Sequence, residues 1–143
     1  MREMLRSYLT AAGGARGDTV LVDGQSLQIG GAAHVVAFVG HDGLMDWPDV
    51  RAAQGQAEPP RAAIVLACLS RPYFSDALRR ARAAPLLLTN GLMAPEAYTL
   101  EAALRAWFET ADAQKAREAA AHAYDRFQKC GLSAARRLFA STD

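Results

Sequence analysis

The spacing of apolar residues changes period along the chain. Met4, Leu5, Tyr8, Leu9 and Ala12 recur on one helical face, which predicts an amphipathic helix over residues 2–12 stopped by Gly13-Gly14. Thr19-Val20-Leu21-Val22 and Ser26-Leu27-Gln28-Ile29 come next, with Asp23-Gly24 between them. An Asp-Gly pair between apolar runs predicts a tight β-hairpin, because both central residues of that turn need positive φ. Gly30-Gly31 then permits a sharp change of direction. Residues 34–39, 62–67 and 85–88 form continuous apolar runs. Runs without alternation suit strands covered on both faces, as in a parallel sheet. Tyr73, Phe74, Ala77, Leu78 and Ala81 make a helical stripe between the second and third runs, so that stretch reads as a right-handed βαβ unit.

Residues 48–60 are polar and contain Pro59-Pro60, which predicts a loop. Pro95 fits the first turn of a helix reaching about Thr110, and a second helix covers about 112–129. Gly131 ends that helix and Ser133 is the expected cap of a short last one. The expected fold is a single α/β domain over residues 1–143. It has a small, mostly parallel sheet of three buried strands plus a β-hairpin, flanking helices, and a helical C-terminal extension over about 111–143.

Composition narrows the function classes. The chain has 143 residues, of which 51% are apolar, enough for one domain with one core. A net charge of +1 gives no basic surplus of the kind a nucleic-acid binder carries, so no nucleic-acid partner is expected. So little charge also gives weak colloidal repulsion, which makes self-association plausible. Cys68 and Cys130 are too few for a disulfide framework and read as free thiols of a reducing compartment. No apolar run approaches the roughly 18 residues that span a bilayer, and residues 1–9 lack the apolar core of a signal peptide. The expectation is a cytoplasmic protein without a membrane partner.

The candidate chemistry lies where two apolar runs end. The first leads into Gly40-His41-Asp42-Gly43, the second into Ala67-Cys68-Leu69-Ser70. In an open parallel sheet, ligands bind beyond the carboxyl ends of the strands. If these two strands are adjacent, about 4.8 Å apart, His41 and Cys68 share one rim. Cysteine attacks as the thiolate, which an imidazolium or a helix N-terminus stabilises. A helix is predicted just after Cys68, with Ser70 as its cap and Pro72 in its first turn. His41 then suits the role of general acid or base. Gly43 and the Cys68 amide are candidate donors to an oxyanion.

A strand ending in His and Gly, followed by a strand ending in Ala-Cys, resembles the caspase-like cysteine peptidases, the caspase–gingipain–legumain group. The gingipain branch looks closest. Gly40-His41-Asp42-Gly43 with Trp47, then Val65-Leu66-Ala67-Cys68, then Phe74, the third run and Thr89-Asn90-Gly91 carry the similarity, over about residues 34–108. It implies Cys68 and His41 as the catalytic dyad acting on a peptide or protein substrate. Gly43 would line the oxyanion site, with Asp42, Trp47 and Asn90 around it. Some features depart from the family pattern. Asp42 stands where the family usually has Gly, Leu69-Ser70-Arg71 follows the Cys, and only a helix and a hairpin precede the His strand. Either the chain is N-terminally shortened or the hairpin completes the sheet differently. An open sheet edge predicts a homodimer or a hairpin folded over that edge.

Other readings compete residue by residue. Cys68 alone suits an ordinary buried thiol, and Asp42 and Asp46 read first as solvated loop residues. Trp47 can be a core anchor, and turn chemistry accounts for Asn90-Gly91. His34 lies an odd number of residues from His41, on the opposite face of the strand, so a shared metal is not expected. Neither Cys-x-x-Cys nor Gly-x-Gly-x-x-Gly occurs, and no cofactor is expected. Three functions follow: a cysteine peptidase-like hydrolase, a catalytically inactive domain of the same fold used in binding or assembly, and a different thiol-dependent amidase or transferase.

Overall fold

The structure, a computed structural model, describes residues 1–51 and 55–140. The predicted loop over 48–60 therefore lies partly outside the described residues. Its described part, like the rest of the chain, keeps close to the order of elements that the hydrophobic pattern predicts. Helix α1 (Arg2–Ala12) leads into a hairpin of β1 (Gly17–Val22) and β2 (Gln25–Gly30). Strand β3 (Val35–Val39), the short helix α2 (Gly43–Asp46) and strand β4 (Ala62–Leu66) follow. Helix α3 (Ser70–Arg80) connects to β5 (Ala84–Leu87), and helices α4 (Ala97–Thr110), α5 (Ala113–Gln128) and α6 (Leu132–Leu138) complete the described chain.

The hairpin turn forms as its Asp-Gly pair requires, with Asp23 at φ 49° and Gly24 at φ 78°. Register runs from Gly17 opposite Gly30 to Val22 opposite Gln25. The hairpin is a sheet of its own, so it does not complete the sheet that carries His41 and Cys68. Most of it is exposed, Leu21 at 76%.

The second sheet is parallel, in the order β3-β4-β5. Ladder bonds from Ala62 N–H to the His34 carbonyl and from Gly40 N–H to the Leu66 carbonyl, both 3.0 Å, run along the β3–β4 pair. In β4, Ala63, Ile64, Val65 and Leu66 are wholly inaccessible, as a central strand covered on both faces should be. Strand β3 departs from that expectation. It is the edge strand, and Ala37 and Val39 are exposed. A continuous apolar run does not distinguish an edge strand from a central one, because sheet order is set by long-range pairing. Beyond β5, Phe139 bridges antiparallel to Thr89, and Ala140 N–H donates to the Leu88 carbonyl at 2.8 Å.

The chain divides into two compact units. Unit 1 comprises residues 1–37, 43–64 and 73–85. Its core holds Leu5, Leu9, Ile64, Phe74 and Leu78, all fully buried. Tyr8 meets Phe74 edge to face at 6.2 Å, and its hydroxyl donates to the Ile64 carbonyl at 3.1 Å. Unit 2 comprises residues 38–42, 65–72 and 86–143. Small residues dominate its buried helical faces: Ala103 on α4, Ala116, Ala120 and Ala121 on α5, and Ala135 on α6. Alanines there let helix backbones approach closely. Asp112 caps α5, accepting from Gln114 N–H at 2.8 Å and Lys115 N–H at 3.2 Å.

Two predicted caps fail. Gly131, at φ 86°, precedes α6, and Ser133 lies inside it, its hydroxyl accepting from Arg137 at 2.7 Å. Ser70 opens α3, but its hydroxyl turns back to the Val65 carbonyl at 2.9 Å. In both cases a tertiary partner or a neighbouring glycine displaces the local capping preference. Pro95 stands just before Glu96, the N-cap of α4, rather than within its first turn.

Candidate functional site

Strand adjacency places the two candidate residues. Gly40 N–H bonds to the Leu66 carbonyl at 3.0 Å, so the β3–β4 ladder persists to the residue before His41 and to within two of Cys68. Both residues lie in unit 2, at the carboxyl ends of neighbouring parallel strands, where open α/β sheets bind ligands. His41 is exposed and Cys68 is half-buried.

The sulfur is held by backbone. Met93 N–H donates to Cys68 Sγ at 3.4 Å, and the thiol donates to the Met93 carbonyl at 3.6 Å. The main chain of one residue thus uses the sulfur both as acceptor and as donor. Leu69, the next residue, adopts φ 52°, in the left-handed region, and its N–H donates to the Gly91 carbonyl at 2.9 Å. This tight turn lets α3 begin at Ser70, two residues after the cysteine.

A buried hydroxyl pair fixes the turn. Ser70 and Thr89 are both fully buried. Thr89 N–H donates to Ser70 Oγ at 2.9 Å, Ser70 N–H donates to Thr89 Oγ1 at 3.1 Å, and the two hydroxyls lie 3.1 Å apart. Thr89 Oγ1 also donates to the Ala67 carbonyl, the residue before Cys68. Arg71 N–H completes the set on the Thr89 carbonyl at 2.9 Å. Every hydroxyl of the pair is used, which is what makes a buried polar cluster stabilising rather than costly. The sequence pattern gives Ser70 a capping role and Thr89 a place in the turn after the third apolar run, but neither a bond to the other. A small hydroxyl residue soon after each of two apolar runs, Ser70 after 62–67 and Thr89 after 85–88, was the available signal for the pair. Met93 acts through its main chain, so its residue type carries no signal.

The remaining predicted site residues separate. Asp42 is fully buried, which overturns its reading as a solvated loop residue. Loop composition does not tell an outward carboxylate from one folded inward just before a helix. Asn90 sits on the rim of β5, but its amide donates to the Arg137 carbonyl at 3.1 Å and its main-chain N–H to the Leu138 carbonyl at 2.7 Å. It fastens the end of α6. Gly43 and Trp47 belong to unit 1. A Cβ on Gly43 would stand 2.8 Å from Leu5 Cδ1 and 2.9 Å from Met1 Cγ, so close packing on α1 accounts for this glycine. Trp47 is half-buried, its N–H on the Gly43 carbonyl at 2.9 Å and the Arg2 guanidinium 5.9 Å from its ring centre.

Elsewhere in unit 2, a groove of about 810 Å³ runs between α4 and α5, with Tyr98 stacked on Phe127 at 4.2 Å. Neither His41 nor Cys68 lines it. Among the described residues, no group of three or more His, Cys, Asp or Glu side chains is placed to hold a metal ion, and no helix is long and apolar enough to cross a membrane. Comparisons of the chain with protein-family models, with curated proteins and with solved structures return no match.

Proposed function

We propose that the protein is a cysteine peptidase-like hydrolase in which Cys68 is the nucleophile and His41 the general acid and base. The observation that carries this reading is the Gly40–Leu66 ladder bond, which brings the ends of the two strands side by side. In the proposed reaction the Cys68 thiolate attacks a peptide carbonyl, with the proton held on His41. The C–N bond breaks as His41 returns that proton to the leaving amine, and water, deprotonated by His41, then hydrolyses the thioester. The N-terminus of α3 and the Met93 N–H support negative charge on sulfur. The Cys68 amide is the proposed oxyanion donor. Free thiols at Cys68 and Cys130 support a cytoplasmic setting. The position of β3 at the edge of the parallel sheet supports a homodimer formed there.

The test is covalent labelling with electrophilic peptides. Wild-type protein is expected to label at Cys68, and Cys68→Ala to abolish the signal; unchanged labelling in that variant overturns the proposal. One observation favours a second reading, a catalytically inactive caspase-like domain acting in binding or assembly: the thiol already donates to the Met93 carbonyl. An alkylation profile titrating at an ordinary thiol pKa of about 8.5 selects this reading over the first.

A further inference from the structure

Beyond the end of β5, unit 2 holds a pocket of about 540 Å³ whose charge is unlike that of the chain as a whole. Arg71, Arg117, Arg136 and Arg137 line it, and Glu118 is the single acid among its lining residues. Four guanidinium groups against one carboxylate make a formal +3 in one concavity, where the entire chain carries +1. Glu118 is moreover already engaged. Arg136 Nε reaches its two carboxylate oxygens at 2.9 and 3.0 Å, and His122 Nε2 lies 3.1 Å from Oε1. Hydrogen bonding to Arg136 holds this carboxyl below its ordinary range. Its charge is therefore spent on Arg136 and His122. Arg117, half-buried on α5, has no acidic partner among the described residues, and Arg137 is oriented by Ser133 Oγ at 2.7 Å rather than neutralised. Arg117 and Arg137 thus place like charges in one concavity with no acidic partner among the described residues, and an anionic ligand relieves their repulsion.

We propose that this pocket binds the phosphate group of a small, soluble phosphorylated molecule. Guanidinium groups present planar forks that match phosphate oxygens in pairs, which a compact cation does not. The volume falls in the range of small-molecule sites, larger than one bare anion needs. The site is independent of any chemistry at Cys68.

The experiment is calorimetric titration of the full chain with inorganic pyrophosphate, repeated with acetate and with vesicles containing phosphatidic acid. Saturable one-site binding of pyrophosphate is expected, with none of acetate. Arg117→Gln and Arg137→Gln are each expected to weaken binding roughly tenfold, the loss of one charge-assisted contact, with unchanged melting temperatures. Arg105→Gln, outside the pocket on α4, is expected to leave binding unchanged. Absence of pyrophosphate binding, equal weakening by Arg105→Gln, or binding confined to vesicles would each overturn the proposal.

Discussion

Strand β4 has a neighbour on each side, and the two junctions are built differently. On the β5 side, the turn after Cys68 is tied by Ser70 and Thr89, both fully buried and joined through main-chain and hydroxyl hydrogen bonds. On the β3 side, the last ladder bond is Gly40 to Leu66, and the next residue, His41, is exposed. The sulfur's side is thus fixed by buried polar groups, each of which is costly to leave unpaired, while the imidazole's side meets water. The comparison separates two kinds of strand end: one held by a buried, fully bonded hydroxyl pair, the other ending in an exposed histidine. On the proposed reading, the hydroxyl pair bears on stability and His41 on chemistry.

That contrast can be broken from either side. His41→Ala should produce the largest effect, slowing peptide turnover and electrophile labelling by about 10²–10⁴-fold if the imidazole is the acid–base group, while leaving the urea midpoint near wild type. A shifted midpoint with unchanged labelling would reverse the assignment of roles. Thr89→Val should act in the opposite sense. It keeps the shape but strands the Ser70 N–H and the Ala67 carbonyl, so stability should fall by about 2–3 kcal/mol, read from urea unfolding, with the remaining folded protein still reactive at Cys68.

A smaller effect separates this rim from the core of unit 1. Burial pushes the Tyr8 phenol up from its ordinary value, so the folded state keeps that proton while the unfolded chain releases it near pH 10. Stability from this group is fully present below about pH 10 and lost as pH rises further. Tyr8→Phe should flatten that alkaline loss, at a cost of about 1 kcal/mol at neutral pH for the bond to the Ile64 carbonyl; melting curves from pH 7 to 11 check both. The smallest change is expected from Asn90→Ala, about 0.5–1 kcal/mol with labelling unaffected, because its amide serves the Arg137 carbonyl. A large loss of labelling in that variant would return Asn90 to the reactive rim.

Much of this architecture can be read from residue order. Helical spacing in residues 2–12 and the Asp23-Gly24 turn encode local elements through local physics, and α1 and the hairpin form where that pattern puts them. The ends of the apolar runs likewise locate His41 and Cys68 at strand termini, because a strand's end is a local property. What surrounds the site was not legible in the same way. The contacts on Cys68 come from the main chain of Met93, far along the sequence, and Asp42 lies in a segment whose composition suits solvent and yet is buried.

By itself, then, the sequence determined which segments are helix and strand, the one-turn α2 excepted, where the hairpin turns and which residues stand at the ends of β3 and β4. These follow from side-chain periodicity and from the φ demands of glycine and aspartate. Tertiary structure alone decided that β4 is central and β3 an edge, that the hairpin stands apart from the parallel sheet, that Ser70 bonds to Thr89 instead of capping α3, and that four arginines share one pocket. The physical reason is common to all four. Each depends on pairing between residues distant in the chain, where burial and long-range hydrogen bonding outweigh the local preferences that a sequence displays.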